Sequence, residues 1–399
     1  MWFSDFTLVL PDQVVPHGAV RVEGGEIAEI RDVPVSGAAY EGGGRLLMPG
    51  FVDLHGDMIE REIAPRPNAE MPIPFGIFEL DKKLASAGVT TAYAALSFST
   101  ESVYGHVRSL ETTSRVIDGL HALRDELLID HRVHARYEIT NVKAAPALEA
   151  LLAANRIHLV SLTDHTPGQG QYRDVESYIR SVAERRAVAY ELAVEMVQKR
   201  IADRQADTTF EERLRRVADH ARRLGLTLAS HDDDTAEKVT AMHALGVTIS
   251  EFPVSIEAAR KARELGLWTL MGAPNALRGK SMSGNLSALE AAEAGLLTIL
   301  GADYHPAAFV MAVLRVAGGD AGLPRASAMV SRNPALAAGL ADRGEIVVGR
   351  RADLVAVEPG DIPRVRATFS RGRAVYSDGR LEHLARSVPA ASLHLAGVS

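Results

Sequence analysis

The sequence predicts an α/β fold, a (β/α)8 TIM-like barrel carrying a small β-sandwich domain built from both chain ends. Three observations predict it. Between Leu47 and Ala302, eight short strand-like runs alternate with helical patterns, the mark of a parallel sheet covered by helices. The first 45 residues and the stretch Gly344–Tyr376 are instead hairpin-rich and lack a long helix. Five of the barrel runs also end in His, Asp or Glu, and side chains at the C-terminal ends of barrel strands meet at one face.

The chain of 399 residues is long enough for one large domain and a smaller one. Residues 1–48 and 345–385 are expected to form the sandwich, 49–344 the barrel, and 386–399 an Ala-rich tail. No stretch approaches the roughly 20 apolar residues that span a bilayer. The opening MWFSDFTLVLPDQ lacks a basic leader, so a cytoplasmic protein without membrane partners is expected. Cysteine is absent, which excludes disulfides and thiolate metal sites; any metal is held by imidazole and carboxylate. A net charge of −7 argues against nucleic acid, leaving a small molecule as the expected partner and a homo-oligomer open.

In order, FTLVL and AVRVEGGEIAEI alternate as strands, with Gly24-Gly25 as a hairpin turn. The barrel strands are expected at Leu47–Leu54, Val89–Ser97, Val133–Thr140, His158–Thr163, Leu226–Ser230, Val247–Phe252, Trp268–Met271 and Leu297–Ala302. Helical periodicity intervenes at Ile77–Ala87, Val103–Asp130, Ser255–Leu265 and Leu286–Ala294. A doubly wound open sheet is the alternative, but no G-x-G-x-x-G follows the first strand. The charged helical run Asp174–Arg223 breaks the rhythm and reads as a solvated helical hairpin, with a lid or dimer contact as the alternative.

The stretch Leu46–Asp57, LLMPGFVDLHGD, organises the chemistry. His55 and Asp57 stand two apart at a strand end, where both can converge on one ion. Glu138, His165, His231 and Asp303 end later strands. Six oxygen and nitrogen ligands on five strand ends are what two divalent ions about 3.5–4 Å apart require. Around them, TPGQGQY offers Gln169 and Gln171 with glycines that let backbone N–H groups approach an anion. The loop Gly272–Asn285 carries Asn275, Arg278, Lys280, Ser283 and Asn285, a set suited to a phosphorylated substrate, and Arg66 in APRPN is a further anion contact. Asp232–Asp234 either orient a ligand or cap the next helix.

With MPGFVDLHGD, GVTTAY and GADYHP in these positions, the chain resembles the amidohydrolase superfamily along most of its length. The resemblance implies two divalent metal ions, zinc or manganese. His55 and Asp57 would bind the first, Glu138 would bridge, His165 and His231 would bind the second, and Asp303 would touch metal and move protons. Asp57 departs from the usual His-x-His, and Glu138 stands where a carboxylated lysine is common, with Lys143 too far along the loop. The strings LHGDMIEREIAPRP, SLTDHTPGQGQY, LASHDDDTAEKV, EFPVSIEAAR and MGAPNALRGKSMSGN carry a narrower resemblance, to the diphosphatases of phosphonate catabolism in the carbon–phosphorus lyase pathway. It implies metal-assisted cleavage of the ribosyl 5-triphosphate alpha-D-ribose 1-methylphosphonate 5-triphosphate to the 5-phosphate and pyrophosphate. Hydrolysis of an amide or cyclic amide, as in a deacetylase or dihydroorotase-like enzyme, and a non-catalytic scaffold are the rival readings.

Overall fold

The computed structural model describes residues 1–66, 69–98, 108–281 and 284–383, so Ser283 and the expected tail 386–399 lie outside the described residues. The chain runs through β1 (Trp2–Val9), β2 (Val14–Glu23), β3 (Glu26–Arg31), β4 (Tyr40–Glu41) and β5 (Leu46–Pro49). Eight strands follow: β6 (Phe51–Gly56), β7 (Val89–Phe98), β8 (Asp130–Glu138), β9 (Leu159–Thr163), β10 (Thr227–His231), β11 (Ile249–Glu251), β12 (Trp268–Gly272) and β13 (Ile299–Gly301). The chain returns with β14 (Leu354–Glu358), β15 (Arg364–Ser370), β16 (Arg373–Ser377) and β17 (Glu382–His383).

The two chain ends meet in one sheet of order β16-β15-β14-β5-β1-β2-β3, with β4 and β17 branching from β1. The joint is β5 against β14, where Leu47 faces Ala356 and Leu46 faces Val357 in antiparallel register. The sheet curls over its own core: the Phe3 ring lies 4.7 Å from Phe369 and 5.0 Å from Tyr40. The expected single strand Leu47–Leu54 is therefore two strands in two sheets. Gly50 makes the crossing, because a Cβ there would collide with the Thr90 side chain.

Strands β6 to β13 lie side by side in sequence order, each parallel to the next. The seam between first and last closes through a bridge of Gly56 to Asp303. There the Asp303 amide donates to the His55 carbonyl at 2.8 Å, and the Asp57 amide donates to the Asp303 carbonyl at 2.8 Å. Asp53 reinforces the seam, its Oδ1 accepting from the amides of Ala302 at 2.8 Å and His55 at 3.1 Å. Of the two residues that pair across the seam, Asp303 is an expected site residue and Gly56 lies between two others, His55 and Asp57.

Inside the barrel, Val52, Leu54, Tyr93, Leu159, Ala229, Ile249, Leu270 and Ile299 fill the space, and Ala335, Ala337 and Leu340 plug it. Burial of the valine, leucine and isoleucine side chains among them stabilises by about 1.5–3 kcal/mol each. Thr227, at the start of β10, donates to the Ala337 carbonyl, which places the plug at the N-terminal end of the barrel. The opposite end stays open to carry a site. The run 174–223 divides in two. Helices Val175–Arg186 and Tyr190–Ala206 form a hairpin with its own small core of Ile179, Val182, Ala193 and Val197. Helix Phe210–Arg223 belongs to the barrel, packing Leu214, Val217, Ala218 and Ala221 into its outer core. Among the described residues no helix is long and apolar enough to cross a membrane.

We expect residues 1–45 and the returning strands to fold as one unit. Deleting residues 1–45 strips β5 of its β1 neighbour and Phe369 of the Phe3 and Tyr40 rings, and should give aggregated protein on size-exclusion chromatography. A soluble, monodisperse and active truncation would contradict it.

Candidate active site

At the open end of the barrel a cavity of about 1380 Å³ is lined by His55, Asp57, Glu138, His165, His231 and Asp303, all six expected ligands. Three of the strand ends that present this face carry non-glycine residues in left-handed backbone: Asp232 (φ 53°), Phe252 (φ 51°) and Asp303 (φ 54°). Such conformations cost of order 1–3 kcal/mol and persist where the surroundings force them, as functional sites do. Gly272 keeps room for Asp303, since a Cβ there would stand 2.9 Å from its Oδ2.

The three histidines share one arrangement. Each has Nδ1 on a carboxylate behind it and Nε2 turned toward a second carboxylate in front. His55 and His231 both lean on Glu251, at 3.2 and 3.3 Å, and His165 leans on Glu138 at 2.7 Å. In front, His55 Nε2 lies 3.6 Å from Asp57, while His165 and His231 Nε2 lie 3.6 and 3.8 Å from the same Asp232 oxygen. A carboxylate behind fixes which ring nitrogen carries the proton, leaving the other as a lone-pair donor. Imidazole and carboxylate donors so spaced fit a divalent cation: His165, His231 and Asp232 form one ligand group, and His55 with Asp57 forms the start of another.

Glu251 is fully buried and also accepts from Ser161 Oγ at 2.8 Å. Burial alone would raise its carboxyl, but the neighbouring imidazoles outweigh burial and hold it well below the usual range. The same pairing raises His55, although burial opposes its charge, while burial lowers His231. The His55, His231 and Glu251 atoms also lie close enough to hold an ion on the Nδ1 side. Glu251 oxygens already engaged by two rings and a hydroxyl favour the orienting role there.

Asp57 meets Arg136 Nη1 at 2.6 Å. Burial works against the Asp57 charge, but the guanidinium prevails and holds the carboxyl down at about 2. Asp303 goes the other way: burial first, then the Asp57 charge, push its carboxyl up to about 6. A carboxyl poised near neutrality beside ionised ones is fit to exchange protons.

Glu138, expected as the bridging ligand, lines the cavity beside His165. Its Oε2 faces His165 Nδ1, while Oε1 accepts from the His165 amide at 3.1 Å and the Thr140 hydroxyl at 3.0 Å. Asp232, expected to orient a ligand or cap a helix, instead stands between two imidazoles. The helix cap is Thr235, accepting from the Lys238 amide. Asp233 accepts from Ser230 and Ser250, and Asp234 accepts from the Gly170 amide, so these two brace the loops.

Of the expected substrate contacts, Arg66, Gln171, Asn275, Arg278 and Asn285 line the cavity. Gln169 and Lys280 do not: Gln169 donates to the Asp164 carbonyl at 3.4 Å, and Lys280 is exposed outside. Asn275 spends its Oδ1 on the Ala288 amide at 3.0 Å. Ser283 lies outside the described residues. Sequence reasoning missed Arg136 and Glu251, and preferred the solvated reading of the insertion over the lid. Arg136 had a signal, standing two before Glu138 on the same face of β8. Far from solvating freely, the insertion hairpin lines the cavity with Arg185, Lys199, Arg200 and Arg204.

Comparison with known proteins adds to this geometry. Residues 84–381 match the model of the Amidohydrolase family. The chain is 35% identical over 376 residues to the alpha-D-ribose 1-methylphosphonate 5-triphosphate diphosphatase of Escherichia coli (strain K12), covering 90% of this chain and 96% of that one. Among solved structures it resembles the dihydropyrimidinase from Brevibacillus agri, with TM-score 0.63 at 15% identity over 96% of each chain. It likewise resembles the N-acetyl-D-glucosamine-6-phosphate deacetylase from Mycobacterium smegmatis, with TM-score 0.60 at 16% identity, covering 94% of this chain and 100% of that one. At such identities the likeness is one of fold.

If Glu251 orients two imidazoles toward the cavity, Glu251→Gln should weaken metal affinity by about 10–100-fold, as loss of such a partner does elsewhere. Competition against a chelator checks this, and unchanged affinity would remove Glu251 from that role.

Proposed function

Because the chain belongs to the amidohydrolase family, we propose that it is a metal-dependent hydrolase of a phosphoanhydride, cleaving alpha-D-ribose 1-methylphosphonate 5-triphosphate to the 5-phosphate and pyrophosphate. The observation that carries the reading is the charge of the cavity. Arg61, Arg66, Arg185, Arg200 and Arg278 line it without a carboxylate partner among the described residues. Free guanidiniums around a set of metal-ligating side chains suit a polyanion and serve a neutral amide ring poorly. The identity to the named diphosphatase supports the same choice.

His165, His231 and Asp232 would hold one divalent ion, and His55 and Asp57, with Asp303 beside them, a second; zinc and manganese both suit these donors. An ion held there supplies Lewis-acid polarisation of a phosphoryl oxygen and acidifies water toward neutrality. The protein does the rest. Asp303 takes the proton of the attacking water as the new phosphorus–oxygen bond forms and the bridging bond to the leaving pyrophosphate breaks. Arg136 keeps Asp57 ionised, so that it stays a ligand and does not compete for that proton. Unpaired guanidiniums offset the charge that builds on the leaving group. Helix Val175–Arg186 and its partner help to enclose the mouth and limit stray water.

The test is a pyrophosphate-release assay on the ribosyl triphosphate with metal-loaded protein, run beside a dihydropyrimidine and N-acetylglucosamine 6-phosphate. Pyrophosphate release exceeding either amide hydrolysis supports the proposal. Faster amide hydrolysis would replace it with the amidohydrolase reading, and no turnover with metal bound would favour a scaffold. Asp303→Asn should abolish turnover without moving the thermal midpoint by more than a few degrees. Near-normal turnover in that variant would remove Asp303 as the proton acceptor.

A further inference from the structure

On the helix Tyr190–Ala206, Met196, Lys199, Arg200, Asp203 and Arg204 recur at spacings of three and four and line the cavity. Ala193 and Val197, on another face, pack against Ile179 and Val182 of the neighbouring helix. A charged stripe thus faces inward over the barrel mouth, where a merely solvated hairpin would turn it out. Most of these charges are already answered. Lys199 pairs with Asp203 at 2.7 Å, Arg204 pairs with Asp164 at 3.2 Å, and nearby Asp207 is taken by Arg213. Arg200 is the exception. It is half-buried, its Nη1 donates to the Tyr178 hydroxyl at 3.1 Å, and it has no carboxylate partner among the described residues.

Its placement is specific. Tyr178 packs on Tyr172 with ring centroids 4.4 Å apart, and Tyr172 lies 5.9 Å from the His165 ring. A continuous file of aromatic rings therefore links the guanidinium to the ligand group at the ends of β9 and β10. Arg278, which shares a hydrogen bond with Tyr304 next to Asp303, stands on the β12–β13 side. Arg200 follows the fourth barrel strand and Arg278 the seventh, so the two cations approach the cluster from separate parts of the rim. A half-buried guanidinium without a counter-charge is costly unless an anion joins it, and its planar fork matches two phosphate oxygens.

We propose that Arg200, presented by the helical insertion and braced by Tyr178, grips the terminal phosphates of the substrate's polyphosphate chain and sets the preference for a triphosphate. The inference rests on the phosphoanhydride reading above. It gives the insertion the role expected, from sequence, of the loop after β12.

Wild-type kinetics come first. Pyrophosphate release from the ribosyl triphosphate establishes the reaction; its absence overturns the functional reading and this inference with it. With an active wild type, Arg200→Ala should raise KM for the triphosphate, and the inhibition constant of pyrophosphate, by about 10–100-fold, the loss of one charge-assisted contact. Inhibition by the 5-phosphate product should change by no more than about threefold, because that product lacks the terminal phosphates. Arg200→Lys should recover part of the loss. Tyr178→Phe tells bracing from grip: it should cost less than Arg200→Ala. Equal weakening of pyrophosphate and 5-phosphate, an unchanged KM, or a Tyr178→Phe effect as large as that of Arg200→Ala would each overturn the proposal while leaving the reaction itself in place.

Discussion

A single buried carboxylate, Glu251, reaches two imidazoles that arrive from different strands, and much of the open end of the barrel depends on it. It holds Nδ1 of His55 on β6 and of His231 on β10, and accepts a hydroxyl from Ser161 on β9. A charge in that position would be destabilising by several kcal/mol if left unpartnered. Its partners therefore cannot be removed one at a time without cost, and the barrel is tied across its diameter by the same contacts that aim the lone pairs. Glu138 repeats the device on His165. The site is built in two carboxylate layers, one behind the rings and one before them.

The seam of the barrel lies within the same region. Asp53 binds the amide of Ala302, and the backbone of His55, Asp57 and Asp303 is interlocked where first strand meets last. Closing the barrel and bringing Asp303 beside Asp57 are thus one structural event. Proximity of those two carboxyls then separates their proton affinities, since Arg136 claims Asp57 and burial leaves Asp303 the more basic group.

The eight barrel strands and the joining of the chain ends were legible because β-period runs, helical periods and turn signals are local properties. The six strand-end residues were legible for the same reason, since a strand ending in His or Asp announces itself. What escaped is non-local. Whether Glu138 or Asp232 stands between two histidines depends on the left-handed turn after β10, which no side-chain pattern in HDDD specifies. Glu251 ends a three-residue strand in VTISE and looks like any acidic surface residue until its burial is seen. The split of Leu47–Leu54 into two sheets turns on one glycine facing Thr90. The insertion read as solvated because its cavity-facing stripe is charged, and charge usually means solvent.

The layered arrangement makes a direct claim about where an ion sits. Crystals of the metal-loaded protein, measured at the absorption edge of zinc or manganese, would locate it by anomalous scattering. We expect a peak about 2.0–2.2 Å from Nε2 of His165 and His231 and from an Asp232 oxygen, with Glu251 and Glu138 holding the far nitrogens. A peak on the Nδ1 side, coordinated by Glu251, would contradict it.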